Sequence, residues 1–92
     1  MTLPATLHLP RSSTPLEGRL VGVDGEFVTG VFPRAFAPGA PFTVRLSLSE
    51  TPVGFTAKAV GSKRRSEGDF AVRMRMLDVR KSVRTGLVAA LG

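Results

Sequence analysis

Three stretches of this chain alternate apolar and polar residues with a period of two, and nothing else in the sequence restricts the fold as strongly. In residues 42–48, Phe42, Val44, Leu46 and Leu48 alternate with Thr43, Arg45 and Ser47. In residues 53–60, Val53, Phe55, Ala57 and Ala59 alternate with Gly54, Thr56 and Lys58. In residues 69–76, Phe70, Val72, Met74 and Met76 share one side, with Arg73 and Arg75 on the other. Successive side chains of a strand point to opposite faces, so each stretch reads as an antiparallel strand with one buried and one wetted face.

Two more strands precede these. Residues 16–23 place Leu16, Gly18, Leu20 and Gly22 on one face, opposite Glu17, Arg19, Val21 and Val23. Asp24-Gly25 signals a hairpin, because both residue types tolerate positive φ, and residues 26–32 form the return strand. Residues 33–41 read as a proline-rich loop carrying Arg34 and Phe36, and a turn is expected around Glu50-Thr51-Pro52. A second loop, residues 61–68, carries Lys63-Arg64-Arg65. Pro4, Pro10 and Pro15, with Ser12-Ser13-Thr14 between them, predict an extended N-terminal arm over residues 1–15.

From Val79 the spacing changes. Val79, Val83, Leu87, Ala90 and Leu91 fall on one helical stripe, with Arg80, Lys81 and Arg84 on the solvated side. Asp78 suits the N-cap, where its carboxylate accepts from free amides of the first turn. Gly86 costs the helix about 1 kcal/mol relative to alanine, which predicts a helix held by docking. The expected fold is mainly β, a small antiparallel barrel of five to six strands with a C-terminal helix. Its parts are an arm over 1–15, a barrel over 16–77 and a helix over 78–91. In it Phe42, Phe55 and Phe70 turn inward and the helix closes one open end.

Composition then removes whole classes of function. The 92 residues allow one domain, and 42% hydrophobic residues are too many for a disordered chain. No apolar run approaches the ~20 residues of a membrane helix. The opening residues lack the basic and apolar regions of a secretion signal, so a cytoplasmic, soluble protein is expected. With no cysteine there are no disulfides, thiolate nucleophiles or zinc–thiolate sites. His8 is the only histidine, and the acidic residues nearest in pattern, Asp24 and Glu26, lack metal-ligand spacing. No nucleophile with its base and no carboxylate pair can be assembled, so neither an enzyme nor a cofactor is expected. The net charge of +6 favours anionic partners, whether phosphates, nucleic acid or acidic proteins.

In order and spacing the chain resembles the PilZ domain family, bacterial receptors for cyclic di-GMP built as a small barrel with a C-terminal helix. The resemblance runs through Leu16-Glu17-Gly18-Arg19-Leu20-Val21, then Phe32-Pro33 with Ala37-Pro38-Gly39, then residues 42–48. It ends on Phe70-Ala71-Val72-Arg73-Met74-Arg75-Met76 followed by Leu77-Asp78. It covers most of residues 11–91 and implies a regulatory role in motility, adhesion or polarity.

The family holds its ligand with an RxxxR pair before the barrel and a D/NxSxxG pattern after the first strand. Guanidinium forks there grip phosphate and guanine edges bidentately. Arg11 lies in the matching region, but Leu7 and Pro15 stand four residues to either side of it. Gly22, Asp24 and Phe27 occupy the three positions of the second motif, and a slip of two residues gives Asp24, Glu26 and Thr29 instead. Arg11, Arg19 and Asp24 are the candidate remnants of a ligand site.

The expectation is therefore a PilZ-like adaptor that works through protein–protein contacts with an acidic partner. Lys63, Arg64 and Arg65 are its candidate docking residues. A cyclic di-GMP receptor with a non-standard site is one alternative. A basic barrel binding single-stranded nucleic acid is the other, with Phe27, Phe32 and Phe36 as its candidate stacking platforms.

Overall fold

The computed structural model describes residues 1–92. The elements are β1 (Leu3–His8), β2 (Leu16–Asp24), β3 (Phe27–Phe32), β4 (Pro41–Leu48), β5 (Thr51–Arg64), β6 (Phe70–Asp78) and α1 (Lys81–Leu91). Every neighbouring strand pair is antiparallel, and the sheet closes on itself in the order β1-β2-β3-β6-β5-β4. The chain thus forms the expected mainly-β fold, a closed six-stranded barrel with one C-terminal helix. That helix, with 11 residues, is neither long nor apolar enough to cross a membrane.

The three alternating stretches deliver their apolar faces to the interior. Phe42, Val44 and Leu46 of β4, Phe55, Ala57 and Ala59 of β5, and Val72, Met74 and Met76 of β6 are all buried in one cluster. Large residues face small ones across the ladder: Phe42 opposes Ala57, and Ala59 opposes Met74. That complementarity lets a narrow tube fill without strain. Phe70 is half-buried at the rim, packed against this cluster. Phe32, almost fully buried, lies over Gly18 and Gly30, and a Cβ at either glycine would overlap its ring. Glycine is required at both positions so that the aromatic ring can cover the backbone.

Several boundaries differ from the sequence expectation. Residues 3–8 are extended, but they form no free arm. They pair with β2 on one side and β4 on the other and complete the barrel, which therefore begins before residue 16. Leu3, Ala5 and Leu7 face inward, so the arm has the same alternation as the other strands. A bulge between Leu20 and Gly22 shifts the β2 register, so Val23, not Gly22, packs on the core. Strand β5 continues through residues expected in a loop and ends at Arg64. The helix starts at Lys81, with Arg80 as N-cap and no side-chain cap bond, because Asp78 is still on β6 opposite Thr56.

The hairpin turns are also displaced from the expected residues, Asp24-Gly25 and Glu50-Thr51-Pro52. In the β2–β3 turn only Gly25 has positive φ (60°), with Glu26 as the second central residue, the φ pattern of a II′ turn. In the β4–β5 turn the central residues are Ser49 and Glu50, with φ of 48° and 67°. Two non-glycine residues are thus held in the left-handed region of a I′ turn, where an L side chain crowds the backbone.

Each end of the tube has its own cover. At the Leu48 end, Val83 and Leu87 of α1 are buried in the core, and Leu48 lies against the helix at Gly86. Phe36 joins the core at the Phe42 end, where it meets Phe42 edge-on at 5.3 Å between ring centroids. Its loop is bracketed to β5. The Phe36 amide donates to Ser62 Oγ (2.9 Å), and the Ser62 hydroxyl donates to the Phe36 carbonyl (3.1 Å). Ala59 adds two backbone bonds, to Gly39 and Ala40.

Two stability predictions follow from these ends and turns. Replacing Ser49-Glu50 by Asn-Gly removes side chains that disfavour the left-handed region. It should stabilise the fold by about 1–2 kcal/mol, read as a rise of roughly 4–8 °C in Tm per kcal/mol; an unchanged or lower Tm would refute the turn geometry. Phe36→Ala should cost about 3–5 kcal/mol and Ser62→Ala about 1 kcal/mol in urea denaturation, whereas a surface loop would tolerate both within about 0.5 kcal/mol.

Candidate binding surface

The barrel interior is wholly apolar, with no buried polar or charged residue, so any chemistry the chain performs is presented by its exterior and its ends. His8 lies at the end of β1 beside Thr6, with Oγ1 and Nε2 3.1 Å apart, opposite Thr43. Asp24 and Glu26 belong to the β2–β3 hairpin, so the His8–acid pairing considered from sequence does not form. No group of three or more His, Asp or Glu side chains converges anywhere.

The three candidate ligand remnants are not brought together. Arg11 is exposed on the β1–β2 connection, at the N-terminal end of β2, and follows the first barrel strand instead of preceding the barrel. Asp24 is exposed at the other end of β2. The eight residue steps from Leu16 to Asp24 span about 26 Å at 3.3 Å per residue. Arg19 sits between them on the outer face, opposite Pro4 of β1 and Val31 of β3.

At the positions matching the family's second motif, the side chains already engage one another. Phe27 is half-buried on the outer face, with the Arg73 guanidinium 4.5 Å above its ring centroid. Glu26, next to it, pairs with Arg75 at 3.2 Å. Phe27 opposes Asp24 across the hairpin and Arg75 across the β3–β6 ladder. Of the other two candidate stacking platforms, Phe32 and Phe36 are both buried in the core, so neither presents a face to a base.

The cluster Lys63-Arg64-Arg65 splits in the structure. Lys63 and Arg64 are exposed strand residues, opposite Ala71 and Phe70. Arg65 turns back over the hairpin loop, pairing with Glu67 and, at 3.5 Å, with Asp69 Oδ1, a buried oxygen that has no hydrogen-bond partner. Backbone bonds from Arg65 to Asp69 and from Gly68 to Arg65 complete the loop. The Ser66 hydroxyl, the Glu67 amide and the Arg65 charge hold the Glu67 carboxyl below its ordinary value. A lowered carboxylate favours the folded loop at neutral pH, and that contribution is lost as pH falls through the lowered midpoint.

The broadest cationic surface lies on β5 and β6. Lys58, Lys63, Arg64, Arg73 and Arg75 are all exposed there; the alternation that buries Ala57, Ala59, Val72, Met74 and Met76 turns Lys58, Lys63, Arg73 and Arg75 outward, while Arg64 is exposed as the last residue of β5, opposite Phe70 at the rim. The period-two pattern revealed most of this surface, but not that the 63–65 cluster divides between strand and loop. The RSEGD spacing, which returns acids two and four residues after Arg65, was the available signal for its internal role.

Arg65→Ala should lower loop stability by up to about 1 kcal/mol, read by faster amide exchange at residues 65–69, while Lys63→Ala and Arg64→Ala leave that exchange unchanged. Equal effects from all three would refute the division. The chain matches no family model, no curated protein and no solved structure.

Proposed function

We propose that this chain is a PilZ-like, non-catalytic adaptor of bacterial signalling, in a motility, adhesion or polarity setting. It acts through protein–protein contacts with an acidic partner and has no useful affinity for cyclic di-GMP. The observation that carries this reading is the occupation of the matching motif positions by internal contacts. Phe27 lies beneath Arg73, and Glu26 is ion-paired to Arg75. Arg11 and Asp24 stand at opposite ends of β2, too far apart to grip one dinucleotide.

The energetics point the same way. A micromolar site has about −8.2 kcal/mol of binding free energy. Losing one bidentate arginine contact removes about 1–3 kcal/mol, and losing a second polar contact about 1 kcal/mol more. The sum, about 2–4 kcal/mol, moves the dissociation constant to about tens to hundreds of micromolar. The net charge of +6 remains, and it favours encounter with acidic surfaces.

Calorimetric titration with cyclic di-GMP tests this directly. No saturable heat is expected below about 10 μM ligand, and a low-micromolar dissociation constant would return the chain to the receptors.

A further inference from the structure

We infer that the partner docks on the outer face of β5 and β6 around Val60, and that the segment it offers is acidic with one aliphatic anchor. This rests on the adaptor reading and locates its contact face. The register of the two strands is the starting point. Ala59 opposes Met74 and Gly61 opposes Arg73, which leaves Val60 as the extra residue of a bulge. A bulge re-aims its side chain, and Val60 is 43% exposed, on a strand whose other large apolar residues are buried or half-buried. Beside it Gly61 leaves open space where a Cβ would stand. Together they make a shallow aliphatic patch.

Cations ring that patch. Lys58 precedes Val60 by two residues and Lys63 follows it by three, while Arg73 and Arg75 stand on the adjacent strand. Lys58 and Arg75 are direct partners across the ladder. Like charges placed directly opposite destabilise a sheet, and the one carboxylate paired to this group is Glu26, at the far side of Arg75. Carboxylates from a partner would relieve that repulsion, and an aliphatic side chain set among them would cover Val60 and fill the space over Gly61. An anchored apolar centre inside a polar rim is the common anatomy of a protein interface.

The same observations favour a protein segment over nucleic acid. The exposed apolar group here is aliphatic, and the half-exposed ring nearby, Phe27, is already covered by Arg73. A base would find no free aromatic face to stack on.

The test uses the full chain, labelled for amide NMR and titrated at low salt with three probes. The first is a short polyglutamate peptide carrying one central leucine. The others are the same peptide with glutamate in place of the leucine, and oligothymidylate. Shifts should concentrate on residues 58–63 and 73–75, and the leucine peptide should bind more tightly than the other two. Lys58→Glu and Arg73→Glu should each weaken it about tenfold, and Val60→Ser should remove its advantage over the all-glutamate peptide. All three sites are exposed, so the remaining amide spectrum reports whether each variant is folded. Absent shifts, shifts centred on α1 or the 65–69 loop, equal binding of the two peptides, or tighter binding of oligothymidylate would each overturn this face. None of those results bears on the cyclic di-GMP titration, so the adaptor reading and its proposed face fail separately.

Discussion

Backbone hydrogen bonds between β1 and β4 turn a curled sheet into a tube, and the other features of the molecule depend on that seam. Leu7 opposes Val44 and Ala5 opposes Leu46 across it, so the seam also brings four apolar side chains to the interior. An open sheet of this length would carry two rows of unpaired amides and carbonyls and one uncovered apolar face. Closure satisfies both requirements at once. Apart from the ends of β5 that overhang its neighbours, it also leaves no strand edge on which a partner could add a strand of its own. Recognition by this domain is therefore a matter of side chains on the outer surface, of loops, and of the two covered ends.

The division between interior and exterior is unusually clean. Every buried residue is apolar or glycine, and Arg45 of β4, Lys58 of β5 and Arg73 and Arg75 of β6 stand on the alternate positions of the same strands. A change at Lys58 or Arg73 alters the outer potential without touching Ala57 or Met74 one residue away. The exterior also holds side-chain interactions of its own, among them the Arg73–Phe27 stack and the Arg75–Glu26 pair. Both lie on the β2–β3 hairpin and its neighbour β6.

Much of the barrel was legible because its central strands are half-buried, and half-burial writes a period of two into the sequence. Residues 42–48, 53–59 and 70–76 show it plainly. The same signal exists in Leu3, Ala5 and Leu7, but Pro4 and Pro10 argue for an arm when neighbours are unknown, and only the pairing with β2 and β4 makes a strand of it. Bulges hide their own register: the parity of β2 changes after Leu20, and that of β5 changes at Val60. Phe36 could not be placed from a loop of proline, alanine and glycine, since its burial depends on a serine 26 residues away. The candidate ligand residues are dispersed for the same reason that the arm is a strand. Once residues 3–8 become a barrel strand, Arg11 moves to the loop behind it, and no spacing rule could supply that.

The strand order has a consequence for how the molecule is made. β6 inserts between β3 and β5, so the outer side of β3 stays unpaired until Phe70 and its successors have been synthesised. The 38 residues from Phe32 to Phe70 take a ribosome roughly 2–8 seconds at about 5–20 residues per second. Until β6 docks, the folding sheet carries an open apolar trough, with Val28 and Phe32 along one lip.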